Sequence, residues 1–168
     1  NQQKNVLVAG ASGYLGQHII TSLQQHNYSF IALARSPNKL LQQGLSKQQI
    51  FTAQATIAES LQGCCENVDV VISCLGITKQ KDGLDYMAVD YQANHNLLRE
   101  AERAGVKKFL YVSAFHQPMD AGVRLLQAKE KFAKELLQST KLSPCVIRPN
   151  GFFADLEGFY QAAKTGSI

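Results

Sequence analysis

The stretch NVLVAGASGYLGQHI, residues 5–19, decides how the rest of the chain is read. Val6 to Ala9 is a short apolar run suited to a buried strand. Three glycines follow at a spacing of three: Gly10, Gly13 and Gly16. Leu15, Ile19, Ile20 and Leu23 then recur at helical spacing. A strand that runs through a glycine turn into a helix points helix N-terminal amides at the turn. Those amides carry partial positive charge, so the turn suits an anion. The first glycine permits the tight turn, and the second lets backbone N–H groups approach a pyrophosphate. The third lets the helix pack on the strand. The alternative reading is a turn that binds nothing.

Outward from this stretch, apolar runs alternate with helical patterns. Phe30 to Ala34 is a second strand, ended by Arg35-Ser36-Pro37-Asn38; Ser36 before Pro37 reads as a capped helix start. Ile50, Phe51 and Ala53 mark a weak third strand. VDVVISCL, 68–75, is a fourth, rich in β-branched residues. A long helix is expected from Tyr86 to Ala104, with Val89, Ala93, Leu97, Leu98 and Ala101 on one stripe and Gly105 as its stop. KKFLYVSA is the fifth strand, 123–139 a further amphipathic helix, and LSPCVIRP the sixth strand. The tail GFFADLEGFYQAAKTGSI reads as one more helix. Strands alternating with helices predict an α/β fold, a doubly wound parallel sheet of the Rossmann NAD(P)-binding type. Residues 1–168 read as one such domain. The chain starts without Met and stops without a further strand, so it is expected to be trimmed.

The bulk composition narrows the partners. Seventeen Lys and Arg against thirteen Asp and Glu give a net charge of +4 with no basic block, so nucleic-acid binding is not expected. The densest cations, Lys79 with Lys81 and Lys107 with Lys108, fit solvated loops or helix ends. Cys64, Cys65, Cys74 and Cys145 show no metal spacing and read as reduced thiols, Cys74 and Cys145 as small buried residues. A cytoplasmic location follows from that reading. No apolar run is long enough for a membrane span, and no carboxylate or histidine cluster suggests a metal.

The end of the second strand sets the expected dinucleotide. An acidic residue there would hold a ribose 2′-hydroxyl. This chain has Arg35, whose guanidinium can pair with a 2′-phosphate, and Ser36, which can add a hydroxyl. The reading is NADP(H) preferred over NAD(H); an exposed arginine that happens to follow a strand is the alternative. The loop residues Ser12, Tyr14 and Leu15 join the three glycines around the pyrophosphate. Cys74, Leu75 and Gly76 end the fourth strand, where a small residue and a glycine let the backbone pass beside a ribose.

GASGYLG, LARSPNKL, VDVVISCLG, FLYVSA and VIRPNGFF resemble, in that order, the short-chain dehydrogenase/reductase superfamily. The likeness is greatest to its atypical NAD(P)H-binding group, NmrA-like and epimerase/dehydratase-like. That group includes NmrA-like regulators, isoflavone-reductase-like enzymes, divinyl chlorophyllide reductase-like proteins and photosystem assembly factors. The resemblance implies NADP(H) held at the glycine loop, at Arg35, along Cys74 to Gly76, and beside Pro149, Asn150, Gly151 and Phe152. It also implies that the chain stops before or within a small C-terminal substrate-binding region. Active members of the superfamily use Tyr-x-x-x-Lys, with a serine on the preceding strand. In GVRLLQAKEKF the lysine is Lys129, but Leu125 stands where the tyrosine belongs, and leucine cannot carry a proton. Ser113 matches the serine. His116, after the fifth strand, can substitute as the acid or can be an ordinary loop histidine. Lys129 is either a ribose or substrate contact or a solvated helix lysine. Asp82 and Asp85 read as turn and capping residues, and Tyr91 as packing.

Three functions fit. One is an NADP(H)-dependent oxidoreductase acting on an unidentified small organic molecule. The second is a non-catalytic NADP(H) sensor that acts through a protein partner. The third is an assembly factor that uses the fold as a scaffold. The two long helices can form a homodimer interface, although a core-facing stripe explains their periodicity equally well.

Overall fold

The structure is a computed structural model, and it describes residues 4–77, 85–115, 122–150, 152 and 160–165. The elements follow the predicted alternation: β1 (Asn5–Ala9), α1 (Tyr14–Gln25), β2 (Ser29–Ala34), α2 (Asn38–Gln42), β3 (Ile50–Thr52), β4 (Val70–Ser73), α3 (Ala93–Ala104), β5 (Lys108–Val112), α4 (Arg124–Leu137) and β6 (Ser143–Ile147). All strand pairs are parallel, in the order β3-β2-β1-β4-β5-β6. Because β1 lies between β2 and β4, the chain winds outward in both directions from it. The crevice between the C-terminal ends of β1 and β4 is therefore the topological switch point, the usual ligand site of such sheets.

Alternation along the strands builds a core on each face. Val6 and Val8 point to one side with Phe30 and Ala32, where Ile20 of α1 and Leu40 of α2 cover them. Leu7, Ala9, Val71, Phe109 and Tyr111 point to the other, under Leu97 and Ala101 of α3 and Phe132 and Leu136 of α4. Burial on both faces is why the strands read as near-continuous apolar runs. Phe132 sets α4 on β5 by edge-to-face contacts, with ring centroids 4.8 Å from Tyr111 and 6.0 Å from Phe109.

Several local expectations change. α2 begins at Asn38 with Pro37 as its N-cap residue, and no side chain caps it, so Ser36 is not the helix cap. The long helix stops at Gly105 as read, with φ +75°. Its first turns, however, are a π-helix over Met87–Gln92, which widens the turn before α3. Asp85 caps this segment, its Oδ1 accepting the Ala88 N–H at 2.7 Å. Cys145 and Cys74 are half-buried, not buried as expected, Cys145 because β6 is an edge strand; all four cysteines are free thiols. Lys107 pairs with Asp69 at 2.7 Å. Of the tail, residues 160–164 are helical; the remainder of the tail reading, Lys79, Lys81 and Asp82 lie outside the described residues. Among the described residues no helix is long and apolar enough to cross a membrane, and no cluster of His, Cys, Asp or Glu is placed to hold a metal.

Candidate functional site

The glycine turn is built from its own steric limits. Gly10 has φ +76°, a left-handed conformation that side chains avoid, and a Cβ there would lie 2.8 Å from the Cys74 carbonyl oxygen. Gly16 sits so close beneath the turn that a Cβ would come within van der Waals exclusion of the Gly10 carbonyl and Ala11 Cα. Both glycines thus answer to the packing of β1, β4 and α1. Gly13 differs. A Cβ there would meet only the Gly10 carbonyl, at 3.2 Å, and Gly13 itself is exposed at the head of α1. It is the N-cap residue, no side chain caps the helix, and no acidic residue sits in the first turn. The first amides of α1 are left for something outside the helix.

One pocket opens over this turn. It is lined by Gly10, Ser12 and Gly13 from the loop after β1, Leu33 to Arg35 at the end of β2, and Ala53 to Thr56 after β3. Cys74 to Ile77 after β4, with Val89 and Ala93, close the far side. The walls are mostly small and apolar, with Arg35 the one charged residue in the lining. This form suits the adenosine half of a dinucleotide, with the pyrophosphate over Gly13. Burial pushes the Cys74 thiol up to about 11, so it is a neutral wall residue near pH 7 and not a nucleophile. Sequence reasoning missed Lys39. Its Nζ donates to the Ser12 carbonyl at 2.8 Å, placing a second exposed cation at the loop beside the mouth that Arg35 occupies. Its cue was available: Lys39 stands four residues after Arg35, in the first turn of α2.

Beyond Gly76 the site becomes polar and buried. Lys129 Nζ lies 2.8 Å from Asp90 Oδ1; the lysine side chain is 13% exposed and the aspartate 0%. Asp90 Oδ2 accepts the Ile77 N–H at 3.2 Å. Both charged groups occupy the space a Gly76 side chain would fill, at 2.5 Å for Asp90 and 2.8 Å for Lys129. Asn94 continues the network, donating to the Leu75 carbonyl at 3.3 Å and the Asp90 carbonyl at 3.0 Å. Its Oδ1 accepts the buried Ser73 hydroxyl. Burial pushes the Asp90 carboxyl above the usual carboxylate range, with Lys129 pulling against it.

Ser113 and Tyr111 project from β5 into the same layer. Both are buried, and their hydroxyls are neighbours. Burial and then the Asp90 charge hold the Tyr111 phenol well above its ordinary value, so it remains protonated. The exit from β5 and β6 is zipped by the Ser113 N–H to the Ile147 carbonyl at 2.8 Å and the Phe115 N–H to the Pro149 carbonyl at 2.9 Å.

The predicted residues therefore fall into groups. Gly10, Ser12, Gly13, Arg35, Cys74, Leu75 and Gly76 line one pocket. Tyr14, Leu15 and Gly16 open α1 beside it, and Tyr14 stands 5.9 Å, ring to ring, from Phe152. Ser36 is exposed beyond the lining. Lys129 and Ser113 lie in the buried polar layer. Lys129 is not the solvated helix lysine that one reading allowed: Asp90 holds it. Pro149 and Asn150 follow β6, and Pro149 already uses its carbonyl on Phe115. His116 and Gly151 lie outside the described residues. Asp90 was not foreseen: it stands on the buried face, four residues before Asn94 and seven before Leu97, but the stripe was read from its apolar members alone.

A parallel sheet wound outward from a glycine cradle, with the pocket at its switch point, defines a dinucleotide-binding α/β domain. The chain belongs to the NAD(P)H-binding family, whose profile matches residues 10–167. It is similar to the chloroplastic divinyl chlorophyllide a 8-vinyl-reductase of Arabidopsis thaliana, 30% identical over 183 residues, covering 96% of this chain and 42% of that protein. It is also similar to the photosystem II assembly factor Ycf39 of a Synechocystis strain, 30% identical over 155 residues, covering 92% of this chain and 47% of that protein. The chain thus spans less than half the length of either relative. Among solved structures, the NADPH-dependent quinone oxidoreductase QOR2 of Escherichia coli, complexed with NADPH, shares the fold. The TM-score is 0.72 at 23% identity, covering 96% of this chain and 54% of that one. The UDP-glucose 4-epimerase of Thermus thermophilus, in complex with NAD, matches with a TM-score of 0.69 at 18% identity, over 86% of this chain and 54% of that one.

Proposed function

We propose that the chain is the cofactor-binding part of an NADP(H)-dependent oxidoreductase of the atypical short-chain type. Residues 1–168 hold the cofactor, and the further length that the relatives possess supplies most of the substrate pocket. The observation that carries this reading is the convergence of the uncapped α1 N-terminus, Arg35 and Lys39 on one pocket mouth. The amides at the head of α1, Tyr14 to Gly16, receive the pyrophosphate, and Gly10 and Gly13 leave the room for it. Arg35, with Lys39 and Ser36, takes the 2′-phosphate of NADP(H), a dianionic group that NAD(H) lacks. Cys74, Leu75 and Gly76 carry the wall beside the ribose, and Phe152 with Pro149 and Asn150 takes the nicotinamide side.

When bound, the cofactor supplies a hydride from its reduced nicotinamide. The chain's own residues position and shield. Lys129 fixes a positive charge at the ribose or substrate end, and Ser113 offers a buried hydroxyl to a substrate oxygen. Leu125 excludes the usual tyrosine route for the proton, so reduction of an activated carbon–carbon double bond suits this site better than ketone reduction. The reductase relative is named for reduction of a vinyl group. A reducing compartment, cytoplasm or plastid stroma, suits the four free thiols.

A second reading is a non-catalytic NADP(H)-binding module acting through a protein partner. It is favoured by Leu125 and by the likeness to an assembly factor. Calorimetric titration of the full-length protein with NADPH, NADP, NADH and NAD tests the shared cofactor claim. NADP(H) binding is expected to exceed NAD(H) binding by tenfold or more, and Arg35→Asp to abolish that preference. Equal affinity for NADPH and NADH would remove the role given to Arg35. Consumption of NADPH with enones, quinones or vinyl tetrapyrroles separates the enzyme from the module.

A further inference from the structure

We infer that Asp90 is a positioning residue of the cofactor site, setting Lys129 and the β4 exit for the nicotinamide half of the dinucleotide. This rests on the cofactor reading above. Three observations carry it. First, a fully buried carboxylate is a costly group to retain, and this one is matched to a single cation, Lys129, at 2.8 Å. Second, its other oxygen holds the Ile77 N–H, so one side chain ties α4 to the turn after β4. That turn, Cys74 to Ile77, is the far wall of the pocket. Third, Gly76 leaves the space that both charged groups fill, so strand exit, carboxylate and ammonium form one packed unit.

Asp90 lies in the π-helical segment Met87–Gln92, a local irregularity often found at functional positions, and it stands on the buried face four residues before Asn94 and seven before Leu97. Asn94, one turn on, fastens the arrangement to the Leu75 and Asp90 carbonyls. In a chain with Leu125 four residues before Lys129, no phenol is present there to orient the ammonium. Asp90 orients it instead.

The adenosine end of the pocket, at Arg35, does not involve Asp90, and this gives the test. Full-length protein is titrated with NADPH and, separately, with adenosine 2′,5′-bisphosphate, which carries the adenosine half alone. Wild type, Asp90→Asn, Lys129→Met and the double variant are compared, and the fluorescence gain of the reduced nicotinamide on binding is recorded. Asp90→Asn is expected to bind the bisphosphate as wild type does, to bind NADPH about tenfold more weakly, and to lose most of the fluorescence gain. Lys129→Met should lose a similar factor, and the double variant no more than either single one. NADPH affinity and fluorescence unchanged in Asp90→Asn, or losses that simply multiply in the double variant, would overturn the inference while leaving the cofactor reading intact. If Asp90→Asn does not bind the bisphosphate because the lone buried cation unfolds it, the double variant decides. A ratio of NADPH to bisphosphate affinity equal to that of Lys129→Met supports the inference, and a wild-type ratio overturns it. Wild type that binds neither ligand overturns both.

Discussion

Gly13 and Gly16 stand three residues apart in one motif, yet different forces hold them as glycine. At Gly16 the obstacle is backbone, the Gly10 carbonyl and Ala11 Cα, which cannot swing aside. Gly16→Ala should therefore destabilise the protein by about 1–3 kcal/mol, the usual range for overpacking, read as a lower midpoint in denaturant. At Gly13 the added methyl meets one carbonyl at 3.2 Å and otherwise faces the open mouth. Gly13→Ala should melt within a few degrees of wild type and lose NADPH affinity. A Gly16→Ala protein as stable as wild type would show that the turn is looser than its geometry. The triplet and the separate parts of its second and third glycines were legible in the sequence; that Gly10 is also held against the β4 exit at Cys74 was not, because it depends on how near β4 runs.

Element ends were legible wherever a local rule governs them. Gly105 ends α3 because only glycine adopts its left-handed conformation cheaply. Serine at position 36 was over-read as a cap: α2 is five residues long and starts one residue later, with Pro37 in its place. The π-helical form of Met87–Gln92 was not legible from the 3.6-residue periodicity, and Asp90, four residues before the buried Asn94, was passed over because only apolar residues were counted in the stripe. Lys129 was legible through its motif, but its partner lies 39 residues away on another element. Packing between elements gives a further expectation. Phe132 fastens α4 to β5 against Tyr111 and Phe109 with no exposed surface. Phe132→Ala should cost about 3–5 kcal/mol in chemical denaturation. Because α4 carries Lys129, the same variant should weaken NADPH more than adenosine 2′,5′-bisphosphate.

At the scale of the whole molecule, the two helical layers pack on opposite faces of the sheet, and the pocket lies where the winding reverses. A ligand there contacts the exits of β1, β2 and β4 together, so binding should stabilise the domain as a unit. NADPH at a hundredfold excess over its Kd contributes about 2.7 kcal/mol, which for a domain of this size raises Tm by roughly 5–10 °C. NADH at the same concentration should raise it less. Identical shifts in differential scanning calorimetry would remove the 2′-phosphate from the account.

The sequence by itself determined the alternation of six strands with helices, the parallel doubly wound sheet, the glycine cradle and the arginine at the end of β2. Each of these follows from side-chain periodicity or from a local steric rule, and such rules act over a few neighbouring residues. Tertiary structure alone decided the convergence of Lys39 with Arg35, the burial of Lys129 and its pairing with Asp90 beneath Gly76. Those depend on the distance between elements remote in sequence. A buried charge becomes visible only once the fold has removed the water around it.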